Sequence, residues 1–86
     1  MSVYVGELFV TIKTKQWPYG TAAHLFGDST KELHRFASGI GLRRAWFQDY
    51  KRRPHYDVTS TKRQQAILHG AIELSREEEV AHYRHV

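Results

Sequence analysis

The sequence predicts an α/β domain in which roughly three helices cover a small, mostly parallel or mixed sheet. Three observations predict it. Short runs of β-branched and apolar residues are separated by stretches with helical spacing. Two Ser-x-x-Glu capping boxes, at Ser29 and Ser75, mark helix starts, and glycines mark helix ends. Over the last two thirds the order is strand, helix, strand, helix, strand, helix, which favours layers of helices on a sheet.

Each element has a local reason. Val3-Tyr4-Val5 is a short β-branched run, and Leu8 to Ile12 alternates apolar residues well enough for a second strand. Lys13 to Gln16 is polar and reads as a loop. Trp17-Pro18-Tyr19-Gly20 is a turn, because Pro18 fixes its own φ and Gly20 accepts a positive one. Its rings, Trp17 and Tyr19, form either the rim of a pocket or a cap on the core. Thr21 to Gly27 reads as a buried strand. Ser29 opens a helix whose stripe is Leu33, Phe36, Ala37 and Ile40, closed by Gly39 and Gly41. His55 to Val58 follows Pro54 as a strand. Thr59 or Ser60 caps a helix over Thr61 to His69, with Ala66 and Ile67 inward, and Gly70 ends it. Ala71 to Leu74 is a further strand, and Ser75 opens the last helix. That helix is acidic at its start and carries Arg84 and His85 near its end, as the helix dipole favours.

At 86 residues the chain reads as one domain, 1–86. A core this small gains by burying more surface between copies, so a homodimer is expected. The absence of cysteine excludes disulfides, thiolate metal sites and a Cys nucleophile. No apolar run is long enough for a membrane helix and no signal peptide is visible, so the expected setting is cytoplasmic. A net charge of +4 and a pI near 9.6 favour acidic partners: nucleotides, nucleic acid or acidic proteins.

The charge concentrates in Leu42 to Arg63. That stretch holds seven of the thirteen basic residues (Arg43, Arg44, Lys51, Arg52, Arg53, Lys62, Arg63), interleaved with Trp46, Phe47, Tyr50 and Tyr56. Guanidinium groups fork onto phosphate oxygens and rings stack on bases. The structural alternative is a solvated basic face over rings that plug the core. Lys62 and Arg63 sit in the first turn of a helix, where positive charge opposes the dipole. An anion docked at that helix start, or an ion pair with Asp57, would account for them.

In such an α/β sheet ligands sit beyond the carboxyl ends of the strands, and that edge gathers Asp28 with Ser29, Asp57 with Thr59 and Ser60, and Leu74 with Ser75. His55 and Asp57 are two apart, so on a strand they share a face, and the carboxylate can orient the ring for acid–base work or phosphate binding. His24, Asp28, His34, His55 and Asp57 are the candidate ligands of a divalent metal if the fold brings them together. No HExxH, Walker loop, GxGxxG or GxSxG pattern is present. His69, His82 and His85 read as solvent-facing or terminal, without a role.

Taken together, the early VYV strand, Trp17-Pro18-Tyr19-Gly20, His24-Leu25 with Asp28-Ser29, Glu32-Leu33-His34 with Phe36-Ala37, Gly41, Arg44, Trp46-Phe47-Gln48, Pro54-His55-Tyr56-Asp57, Lys62-Arg63 and Gly70-Ala71 carry a resemblance. The chain resembles the small bacterial and phage proteins grouped as domain of unknown function 4031, from Val3 to Leu74. The resemblance implies a compact α/β domain with no established activity. It also implies a shared polar site of His24, Asp28, His34, His55, Tyr56, Asp57 and Arg63. Relatives pass quickly from the first strand to the WPYG-like turn, whereas Gly6 to Gln16 is longer here. A phage-like context would suit interference with host nucleotide chemistry.

Three functional readings follow. The first is a small binding protein for a phosphorylated nucleotide-type ligand, which it could sequester. Arg44, Arg63 and Arg53 would hold phosphate, Tyr56, Trp46 or Trp17 would stack on the base, and His55 and Asp57 would fix polar edges. The second is a metal-dependent phosphoesterase or nuclease using the His/Asp cluster. The third is a nucleic-acid or protein interaction module using the basic 43–53 surface.

Overall fold

A computed structural model describes residues 2–50 and 53–84, and of Tyr50 the backbone alone. Lys51, Arg52 and His85, singled out above, lie outside the described residues.

The described chain forms a mixed sheet of six strands with three α-helices: β1 (Val3–Val5), β2 (Phe9–Val10), β3 (Thr21–Gly27), α1 (Thr30–Gly39), β4 (Phe47–Tyr50), β5 (Arg53–Val58), α2 (Ser60–Leu68), β6 (Ile72–Glu73) and α3 (Arg76–Arg84), with a 3₁₀ turn at Arg44–Trp46. The strand order is β4-β5-β3-β1-β6, with β2 pairing β3. The β1–β6 pair is parallel and the other pairs are antiparallel.

Most elements fall where the sequence places them, and their ends follow local chemistry. Ser29 accepts a hydrogen bond from the Glu32 amide at 3.2 Å and starts α1. Gly41, at φ +85°, closes it. Thr59 caps α2 through the Lys62 amide. Ser75 and Glu78 form the full reciprocal box at the start of α3 (2.9 and 3.1 Å). Two expected strands are shorter than their hydrophobic runs. The segment Leu8 to Ile12 contributes only Phe9–Val10, with Ile12 left 87% exposed, and Ala71 to Leu74 contributes only Ile72–Glu73.

The strand β4 is the element that sequence reasoning misses, and it reorients the sheet. A crossover from β3 through α1 alone would return β5 parallel to β3. Inserting β4 reverses the chain once more, so β5 runs antiparallel to β3, with Ala23 opposite Val58. The carboxyl ends of β3 and β5 therefore point to opposite edges. The expected gathering of Asp28 and Asp57 on one edge is corrected accordingly.

The sheet has two unlike faces. One carries Val3, Val5, Ala23, Leu25, Tyr56 and Val58, which α1 and α2 cover with Leu33, Ala37 and Ala66. Each fully buried valine or leucine there contributes about 1.5–3 kcal/mol. The other face carries Tyr4, Ala22, His24, Phe26, His55 and Asp57, and α3 covers part of it. His82 packs on Tyr4 and Phe26 with ring centroids 4.9 and 5.1 Å apart. His82 is thus half-buried rather than solvent-facing, whereas His69 is exposed. No helix among the described residues is long and apolar enough to cross a membrane.

Candidate functional site

Strand register builds the polar cluster. His24 of β3 lies directly opposite Asp57 of β5, and His55 precedes Asp57 by two residues, so all three side chains stand on the α3 face. One donor atom from each lies within 4.8 Å of the others. The Nε2 atom of His55 is 3.4 Å from Asp57 Oδ1, and that of His24 is 3.7 Å from the same oxygen. Two ligands on one ion at about 2.1 Å are about 3.0–3.4 Å apart in octahedral or tetrahedral geometry. The two distances to Asp57 Oδ1 are close to that spacing, and the three donor atoms together lie within 4.8 Å, so a bound ion would draw the side chains inward.

The outer contacts orient each member. The Nδ1–H of His24 donates to Glu79 Oε2 at 2.7 Å, and that of His55 donates to the Arg53 carbonyl at 2.6 Å. A carboxylate and a carbonyl only accept, so both rings carry hydrogen on Nδ1 and turn Nε2 inward. Gln48 of β4 donates its amide to the other oxygen of Asp57. Metal-binding histidines characteristically make such Nδ1 contacts. Burial opposes charge on His55, but the Asp57 carboxylate and the Arg53 carbonyl outweigh it, and the pKa is raised. Burial likewise opposes charge on Asp57, but His55, Gln48 and His24 outweigh it, and the pKa is lowered.

Glu79 and Gln48 are functional positions that sequence reasoning missed. Glu79 is the third of three consecutive glutamates, and nothing local distinguishes it. Gln48 belongs to the Trp46-Phe47-Gln48 motif but acquires its role only through β4. The start of α3 is tied to the segment after β1, and that segment leaves space for Glu79. Glu7 accepts from the Arg76 amide at 2.7 Å, and the lack of a side chain at Gly6 leaves room for the Glu79 carboxylate. The longer Gly6 to Gln16 segment also supplies Phe9, whose ring lies 4.9 Å from His24.

The other expected site residues lie elsewhere. His34 bonds the Tyr56 hydroxyl at 2.8 Å on the opposite, core face of the sheet. Burial, then Arg44, lower its pKa, and burial raises that of Tyr56. Tyr56 is 1% exposed and is not available to stack on a ligand. Asp28 accepts from the Ser2 amide and the Tyr4 hydroxyl. Arg63 donates to the Gly6 carbonyl at 2.8 Å and pairs with Glu73 at 3.5 Å. Lys62 donates to the Ile40 carbonyl at 2.6 Å, closing the end of α1, and to Gln65. These contacts explain the basic pair at the start of α2 without an anion. The exposed Arg43, Arg44 and Arg53 lie over the rings of Trp46, Phe47 and Tyr83 (5.8, 5.2 and 5.8 Å) and do not converge on one point.

Among the described residues, two clefts flank the cluster. One, of about 460 Å³, is lined by His24, Glu79, Arg76, Glu7, Phe9 and neighbours. The other, of about 600 Å³, is lined by Trp17, Tyr19, Trp46, Phe47, Gln48, Asp57, Lys62 and neighbours. Four sequence-predicted residues, Trp17, Tyr19, Trp46 and Lys62, thus come together beside Asp57.

The family model described as Protein of unknown function (DUF4031) matches residues 3–86. The chain belongs to that family. The match extends past the segment that the motifs covered and takes in α3, which supplies Glu79. No curated protein and no solved structure matches the chain.

Proposed function

We propose that the domain holds one divalent metal ion through His24 Nε2, His55 Nε2 and Asp57 Oδ1, and uses it to hydrolyse a phosphate ester. One observation supports this reading above the others: both imidazoles commit Nδ1 to fixed acceptors and turn Nε2 toward a single carboxylate oxygen. Two neutral rings so placed would face a negative oxygen with their lone pairs. A shared cation removes that repulsion. A proton on His55 does so in the metal-free protein, in keeping with its raised pKa.

Two histidines and one carboxylate suit zinc, iron or manganese. Three protein donors leave positions for water and substrate, as catalytic rather than structural metals require. An ion held so would lower the pKa of a bound water and polarise a phosphoryl oxygen. Hydrolysis would form a bond from the water oxygen to phosphorus, break the ester P–O bond, and pass the proton lost by that water to the departing alkoxide. The +4 charge of the chain favours an anionic substrate.

The ring-lined cleft favours a second reading, a binder that sequesters a phosphorylated nucleotide-type ligand without turnover. Native mass spectrometry and a chromogenic phosphodiester assay separate the two. One metal ion per chain and turnover that is abolished by EDTA, restored by metal and lost in His55→Ala are expected, with His69→Ala as an unaffected control. Bound metal without turnover would exclude hydrolysis and leave the binder. No metal uptake at millimolar Zn²⁺ or Mn²⁺ would refute the metal site. The same spectra count subunits and so test the expected homodimer.

A further inference from the structure

We infer that the cleft beside Asp57 receives the base of a mononucleotide, so that the ester offered to the metal is a nucleotide's. The phosphate end of this inference rests on the metal reading; the base end stands on the cleft alone.

The two tryptophans of the chain, Trp17 and Trp46, both line this cleft, together with Tyr19. None of the three belongs to the hydrophobic core, which closes without them. Trp46 and Tyr19 are 51% and 58% exposed, a large ring area for a small domain to leave open to water. Part of this arrangement is preset. The Trp17 indole N–H donates to the Thr21 carbonyl at 2.9 Å, and the Tyr19 ring stands edge-on to it at 5.1 Å. A volume of about 600 Å³ is in the range of small-molecule sites.

The polar groups narrow the occupant. Lys62 lines the cleft with its ammonium held by the Ile40 carbonyl and Gln65, so the charge that would meet a phosphate is the metal's, and Asp57 joins the cleft to that cluster. A plain aromatic ligand would leave the charged end unmet. A sugar phosphate would leave the rings unmet. A flat base joined through a sugar to a phosphate meets both, and ring stacking accepts any base because every base has a π-face.

Because both tryptophans line the cleft, intrinsic fluorescence reports on its occupancy. The test titrates adenosine, and the non-hydrolysable phosphonate analogue of AMP, into the protein with EDTA and with Zn²⁺. Adenosine is expected to change the emission saturably in both conditions. The analogue is expected to bind about tenfold tighter than adenosine only when Zn²⁺ is present. Trp46→Ala and Tyr19→Ala, both at exposed positions, should each weaken the analogue about tenfold with Zn²⁺ uptake unchanged. No saturable response to either ligand from a Zn²⁺-loaded protein would overturn the inference. So would unchanged affinity in both variants. Response to an oligoadenylate strand but not to the mononucleotide analogue would overturn it in favour of single-stranded nucleic acid. Adenosine binding without Zn²⁺ uptake would sink the metal reading while upholding the base site.

Discussion

Replacing Gly6 with alanine tests whether the outer contacts tune the cluster, without touching any proposed ligand. A Cβ at Gly6 would sit 2.0 Å from Glu79 Oε1 and 3.1 Å from its Cδ. Ordinary carbon–oxygen contact needs more than about 3.3 Å, so the carboxylate must move by about 1.3 Å or more. The 2.7 Å bond to His24 is made by the other oxygen, Oε2, which lies 3.9 Å from that Cβ; because the two oxygens move as one rigid carboxylate, a displacement of that size is expected to break it. The obstacle is the end of a flexible side chain, and the backbone at Gly6 does not require positive φ, so the variant should fold. Losing an outer-shell partner typically lowers metal affinity about 10–100-fold, or about 1.4–2.7 kcal/mol. The assay is competition against a chromophoric chelator, with Zn²⁺ as probe. Glu79→Ala should match Gly6→Ala, and the double variant should be no worse than either single one, because both remove the same contact. Unchanged affinity in Gly6→Ala while Glu79→Ala loses it would show that the carboxylate relocates without cost. Fully additive losses would refute a shared contact.

Other expectations follow from single residues. The pKa of His55 lies above its ordinary 6.5, so its stabilising contribution is complete below that value and is lost as pH rises through the raised one. That of Asp57 lies below 3.8, so its contribution is present above that value and is lost as pH falls through the depressed one. In EDTA, the melting-temperature advantage of the wild type over Asp57→Asn should therefore be greatest between the ordinary values of 3.8 and 6.5 and shrink as pH rises through the raised His55 value; a constant advantage would contradict the pairing. Metal affinity should run the other way, falling as much as about tenfold per pH unit below the raised His55 pKa, because the proton competes for Nε2. Tyr56→Phe should cost about 0.5–1.5 kcal/mol in denaturant unfolding, the net worth of its hydrogen bond to the half-buried His34. It should leave Zn²⁺ affinity within about twofold; a larger change would mean that the two faces of the sheet are coupled. Leu33→Ala removes a side chain only 1% exposed from the α1 stripe and should cost about 2–5 kcal/mol by the same measurement.

The sequence by itself determined where most elements start and stop. Ser29, Thr59 and Ser75 cap their helices and Gly41 and Gly70 follow α1 and α2, because caps and positive φ are properties of a few adjacent residues. It also placed His55 and Asp57 on one side of a strand, since side chains alternate with a period of two. It could not supply β4, whose four residues, Phe-Gln-Asp-Tyr, have no strong alternation and become a strand by pairing with β5. That one strand sets the direction of β5, and with it the opposition of His24 and Asp57. It put His24 on a strand and His34 on a helix, but could not tell which of them would meet His55 and Asp57; the first joins the cluster and the second packs on the core face. Glu79 reaches His24 across 55 positions. Local chemistry determines elements; which side chains meet depends on strand direction, register and the docking of α3, and these are settled only when the whole sheet closes around its core.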